Sequence, residues 1–234
     1  MVLGHTTDAI IIGSLFPDLI ISRQVEHLAA HSLGTELLPV VRENRPMADF
    51  ARAIITHGIT PQGLDYFGDE KYRDCERGYC FLKGLALVEQ TIEACRIPPE
   101  MGWWKSHNIV EMGIELLISN RGSYGPLIRR AFNNEELIKQ ITNLLPEQTN
   151  CLNSGLKKRI SGFGKIIEID QASAESLAEK YRLQMHYRHD IDIDTNKVAR
   201  LIKLAAEHVE DDLADFFRFS HASVSQELNK LTGD

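Results

Sequence analysis

The feature that most constrains this chain is apolar residues recurring at three- and four-residue spacing, in runs cut short by proline and glycine. Such spacing lays one apolar stripe along a helix. Val-, Ile- and Thr-rich alternation, the mark of a half-buried strand, is nearly absent; Ile166–Ile169 is the one candidate strand fragment. Mixed fold classes need repeated strand–helix alternation. Without it the reading is all-α.

The pattern predicts a short helix opening at Asp8 and interrupted at Gly13–Asp18, because Pro17 disfavours helix at Phe16. Ser22–Leu38 follows, ending before Pro39, and then Met47–His57. Gly58–Asp74 reads as a long loop carrying Asp65 and Asp69; loops of this length in compact domains are often functional. Further helices are expected over Gly78–Cys95, Glu100–Asn120, Pro126–Phe132, Glu135–Leu145, more weakly Cys151–Gly164, then Ala172–His186 and Thr195–Leu231 with a break near Ser220. The expected organisation is a metal-binding helical domain over 1–150 and a C-terminal helical extension over 151–234.

Composition narrows the function classes. With 234 residues, 43% hydrophobic and 25% charged, the chain has the make-up of an ordinary globular protein. A net charge of -7 argues against broad electrostatic binding to nucleic acid. Cys75, Cys80, Cys95 and Cys151 form no Cys-x-x-Cys pair, which speaks against a thiolate zinc motif and fits reduced thiols in the cytoplasm. The early apolar run Ala9–Ile12 is short, and no stretch is long enough for a membrane span. A phosphate-cradling Gly-rich loop followed by Lys-Ser/Thr is missing, as is a Gly-x-Ser-x-Gly elbow. Asp190, Asp192, Asp194 and Asn196 imitate a calcium loop, but the sixth and twelfth positions are Thr195 and Leu201 rather than Gly and Glu.

The ionisable residues in apolar helices carry the functional signal. Five of the nine histidines precede residue 110. His27 and His31 are four apart, as are His107, Glu111 and Glu115, so each set lies along one helix face. Burying such groups without partners is costly. A divalent metal suits imidazole and carboxylate together: zinc, or else iron or manganese. The competing reading for His107 and Glu111 is a hydrogen bond between them. For Asp18 it is a helix cap, and for His5 plain solvation.

His5 followed by Gly13-Ser14-Leu15-Phe16-Pro17-Asp18 resembles the His…Gly-x-x-x-Pro-Asp opening of the zinc-dependent phospholipase C-like proteins. The His27/His31 helix, His57 and His107-Asn108-Ile109-Val110-Glu111 look similar to that family's later metal-bearing segments. The resemblance covers residues 5–115. It implies a multi-helix domain of the phospholipase C/nuclease type in which a zinc cluster activates water against a phosphodiester. By position it makes His5, Asp18, His57, His107 and Glu111 metal ligands and His27 and His31 further candidates. Asp65 becomes a ligand or base, with Asp18 and Asp65 the candidate catalytic pair; Glu115 is left as a partner behind the ligands. The expected activity is therefore metal-dependent hydrolysis of a small-molecule or lipid-like phosphoester by a cytoplasmic protein, a homo-oligomer in one version. Two alternatives stand beside it. One is a His-Asp-type phosphohydrolase, for which His189-Asp190 is the available dipeptide. The other is a non-catalytic helical protein with structural metal, its partner docking on a patch at Phe216, Phe217 and Phe219.

Overall fold

The computed structural model describes residues 2–22, 25–122, 124–149, 155–156, 158–160, 162 and 171–232. The fold is all-helical, with no strand among the described residues. None of its helices among those residues is long and apolar enough to cross a membrane. Ile166–Ile169 lies outside the described residues, as does most of Cys151–Gly164. The described residues form two compact units, each assembled from separate stretches of chain. One takes those of Met1–Tyr66, Gly125–Ile169 and Phe219–Asp234; the other takes Phe67–Tyr124 and Asp170–Arg218.

In the first unit, α1 (Asp8–Ile20) and α2 (His27–Val41) both pack on α3 (Arg45–His57). The Thr7 hydroxyl caps α1 by accepting from the Ile10 N–H at 3.2 Å, and Asn44 caps α3 at Met47. Phe16 of α1 meets Phe50 of α3 edge-on at 4.9 Å, both fully buried. Glycine sets the spacing of these helices. A Cβ on Gly13 would stand 2.5 Å from the Phe50 carbonyl oxygen, and one on Gly34 would stand 2.7 Å from that of Ala51. Backbones can approach this closely only where no side chain intervenes. α4 (Gly125–Phe132) rests on α1, where Arg130 and Asn134 donate to the two Asp8 oxygens at 2.7 and 2.9 Å. α5 (Glu135–Thr149) adds the buried Ile141 and Leu145. Arg159 donates to the Ile20 carbonyl at the end of α1.

Two expected helix ends move. α1 continues through Pro17 for three residues, and α2 through Pro39 for two. A proline costs most in a helix interior. Here each falls near the C-terminal end, and buried neighbours (Phe16, Leu37 and Leu38) hold the backbone in place. α2 also starts later than expected, at His27.

The second unit is built around α6 (Pro99–Arg121). The expected single helix Gly78–Cys95 is divided into α7 (Tyr79–Gly84), a 3₁₀ turn Leu85–Leu87 and α8 (Val88–Cys95). α7, α8 and α10 (Thr195–Glu210) all pack on α6, and α9 (Ala174–His189) packs on α10. The last helix, α11 (Leu213–Thr232), has its opening turns in this unit and the rest in the first; it begins after a break at Asp211–Asp212 and contains Ser220, so the break falls earlier than expected. Its Phe216 is buried and stacked on Tyr79 at 4.3 Å, and Phe217 and Phe219 are only half-exposed, so the three form no open apolar patch.

Candidate metal centre

α1, α2 and α3 each deliver one side chain to the same place, and the loop after α3 delivers another. Asp18 comes from the last turn of α1, His31 from the first turns of α2 and His57 from the last residue of α3. The loop is tied back by the Ile59 N–H, which donates to the His31 carbonyl at 3.0 Å, and it brings Asp65 in from the other side. The His31 Nε2 is 2.9 Å from Asp65 Oδ2 and 3.8 Å from Asp18 Oδ1. The His57 Nε2 is 3.6 Å from an oxygen of each carboxylate.

Both imidazoles are oriented from behind by main-chain carbonyls. The His31 Nδ1–H donates to His27 O at 2.9 Å, and the His57 Nδ1–H donates to Ser14 O at 2.6 Å. That assignment leaves each Nε2 with a lone pair facing carboxylate oxygens, acceptor against acceptor. Each Nε2 is buried, with an Asp65 oxygen 2.9 Å from that of His31 and 3.6 Å from that of His57. Such an array is stable only with protons or a cation between its members. Backbone-oriented imidazoles are the usual arrangement behind a metal. Donor atoms around a tetrahedral zinc stand about 3.4 Å apart, and the contacts here span 2.9 to 3.8 Å. Two neutral imidazoles and two carboxylates also carry the charge that a divalent ion cancels. The donor set therefore fits a metal ion of the zinc, iron or manganese type.

Without metal, protons serve the same end. Burial opposes charge on His57, but the Asp65 charge and hydrogen bonding, then Asp18 and the Ser14 carbonyl, raise its pKa to about 10. Burial likewise opposes charge on Asp65, yet the charge of His57 and the hydrogen bonding of His31 and His57 hold it well below the usual carboxylate range. His27, exposed, stacks on His31 with ring centres 4.0 Å apart, and its donor atom lies within 4.8 Å of those of His31 and Asp65.

His5 stands elsewhere in this unit, with its Nε2 3.1 Å from the buried Asp49 and its Nδ1 on Leu3 O. In the second unit, Asn108 links His107 and Glu111. One amide group donates to His107 Nε2 at 3.0 Å and to Glu111 Oε2 at 3.1 Å. Glu115 accepts from the Tyr124 hydroxyl at 3.2 Å. His189 accepts from the buried Lys105 at 3.0 Å, while Asp190 takes the left-handed position that ends α9. Arg130 is engaged with Asp8.

Three residues here were not in the sequence-based site: Asn108, Asp69 and Cys80. Donor atoms of Asp69, Cys80 and Glu111 lie within 4.8 Å of one another. A mixed carboxylate–thiol set has no fixed spacing to search for, whereas Cys-x-x-Cys does. The signal open to the eye was Asp65 and Asp69, four residues apart, the second of them inside a π-helical turn at Tyr66–Glu70.

No family model, curated protein or solved structure matches the chain.

Proposed function

We propose that the chain is a metal-dependent hydrolase that cleaves a phosphoester. The observation that carries the reading is the pair of buried Nε2 atoms, each with its other ring nitrogen tied to a backbone carbonyl, converging on Asp18 and Asp65. The phospholipase C-like resemblance over residues 5–115 supports the substrate class, a small-molecule or lipid-like phosphoester, and a cytoplasmic setting fits the cysteine usage.

In this reading His31, His57 and Asp65 hold a divalent ion, with His27 available on the exposed side. A divalent ion bound there supplies a water of lowered pKa and polarises a phosphoryl oxygen. Asp65 has 22% of its side chain exposed and is enclosed by both imidazoles, so it serves as a holding group. Asp18, 58% exposed on the same donors, faces solvent and is placed to accept a proton from an attacking water.

Elemental analysis of purified protein should find at least one equivalent of divalent metal. A panel of aryl phosphodiesters and phosphomonoesters should include a chelator-sensitive substrate, and Asp18→Asn should cut its turnover while leaving metal content unchanged. Metal-free protein, or a flat response across the panel, refutes the respective half of the reading.

A further inference from the structure

The second unit holds a cluster that the proposed hydrolytic site does not use. Asp69 comes from the π-helical turn, Cys80 from the start of α7 and Glu111 from the middle of α6. Their donor atoms lie within 4.8 Å of one another. We propose that Asp69, Cys80 and Glu111 form a second cation site, one that takes a thiophilic divalent ion such as zinc.

Close backbone contacts and one side-chain amide assemble the cluster. The Gly78 N–H donates to the Asp69 carbonyl at 3.0 Å. A Cβ at Gly78 would sit 2.2 Å from the Asp69 nitrogen and from the Gly68 carbonyl oxygen, so only glycine lets the chain two residues before Cys80 lie against the turn that bears Asp69. Gly84 does the same for α7 against α6, where a Cβ would be 2.9 Å from the Ser106 hydroxyl and 3.1 Å from the His107 nitrogen. Glu111 is aimed by the Asn108 amide, whose other hydrogen fixes His107. His107, stacked on Phe81 at 4.2 Å, stands with its Nε2 4.0 Å from Asp69 Oδ2. Three donors on three elements are thus each positioned by a separate contact.

The donor chemistry selects the ion. Cys80 is 3% exposed, and Asp69 has 15% of its side chain exposed, so two carboxylates and a thiol meet in a space with little water. Acidic groups this close share a proton or a cation. Coordination exchanges the thiol proton for a metal–sulfur bond and releases that proton to water. One soft thiolate beside two hard carboxylates favours zinc over magnesium or calcium, which take oxygen donors. Three protein donors leave a fourth position open.

Cobalt(II) added to chelator-stripped full-length protein is the test, because a thiolate–cobalt bond gives a near-ultraviolet charge-transfer band that oxygen and nitrogen donors do not. The band should form with wild type, vanish in Cys80→Ser and persist in Asp65→Asn. Cys80→Ser should also bind about one equivalent less. A wild-type protein without the band, or a band that survives Cys80→Ser, overturns the proposal. If Cys80→Ser does not fold, Glu111→Gln decides: cobalt affinity at the thiolate band should fall about tenfold or more, and unchanged affinity overturns the site. The two sites share no residue, so failure of the hydrolytic reading shows separately, as an Asp65→Asn protein that binds as much cobalt as wild type.

Discussion

Metal binding at the Asp18–His31–His57–Asp65 group should release a proton, and its size can be worked from the structure. In the metal-free protein His57 has a pKa of about 10, because the charge and hydrogen bonding of Asp65, with Asp18 and the Ser14 carbonyl, outweigh the burial that opposes its charge. At pH 7 it is an imidazolium. Its Nδ1–H is committed to Ser14 O, so the proton that must leave is the one on Nε2, the atom that would bind metal. Removing it at pH 7 spans about three units, or about 4 kcal/mol. The observed association constant should therefore rise about tenfold per pH unit from pH 7 upward and level off near pH 10. Titration calorimetry in buffers of different ionisation enthalpy counts the protons directly: about one per ion from this histidine at pH 7. In Asp65→Asn the main anion facing His57 is gone, so binding should weaken and its pH slope should flatten. Zero proton release in wild type, or an undiminished slope in Asp65→Asn, refutes the reasoning.

Two further expectations concern packing and a buried cation. Gly13→Ala puts a methyl 2.5 Å from the Phe50 carbonyl oxygen and should cost about 1–3 kcal/mol in urea unfolding, with weaker metal binding as α1 is pushed off α3. Lys105 has its pKa lowered to about 8, first by burial and then by the charge of Arg188, with Cys95 acting in the other direction. The folded protein thus holds this proton less tightly than the unfolded chain, whose reference value is 10.5. The penalty is full below pH 8 and is relieved between pH 8 and 10.5, so stability should gain there relative to Lys105→Met, which lacks the proton. Parallel melts of the two proteins across that range check the sign.

The all-helical class was legible because apolar periodicity is local. The helix ends were less so, since Pro17 and Pro39 are tolerated through burial of their neighbours, a tertiary effect that no dipeptide rule contains. His31, His57, Asp18 and Asp65 were all nominated from sequence, as residues expensive to bury. What distinguishes His31 and His57 from His5, whose ring is also tied to a backbone carbonyl but is 46% exposed and pairs with Asp49, is burial against two carboxylates at once. The carbonyl that orients His57 belongs to Ser14, 43 residues away, and nothing about Ser14 in the sequence advertises that use. Cys80 escaped notice because single cysteines have no pattern, and Asn108 because its role depends on one amide reaching two neighbours at once. The organisation was obscure for the same reason: each compact unit draws on stretches far apart in the chain.

Gly13 and Gly34 touch none of the proposed ligands, yet they set how far α1 and α2 stand from α3 and hence how far Asp18 and His31 stand from His57. Coordination distances are meaningful to about 0.2 Å, whereas a single added methyl displaces a helix by more than that. Copying the four side chains alone into another helical scaffold would carry over the chemistry without the ruler. A transplant that works must take the two glycines as well.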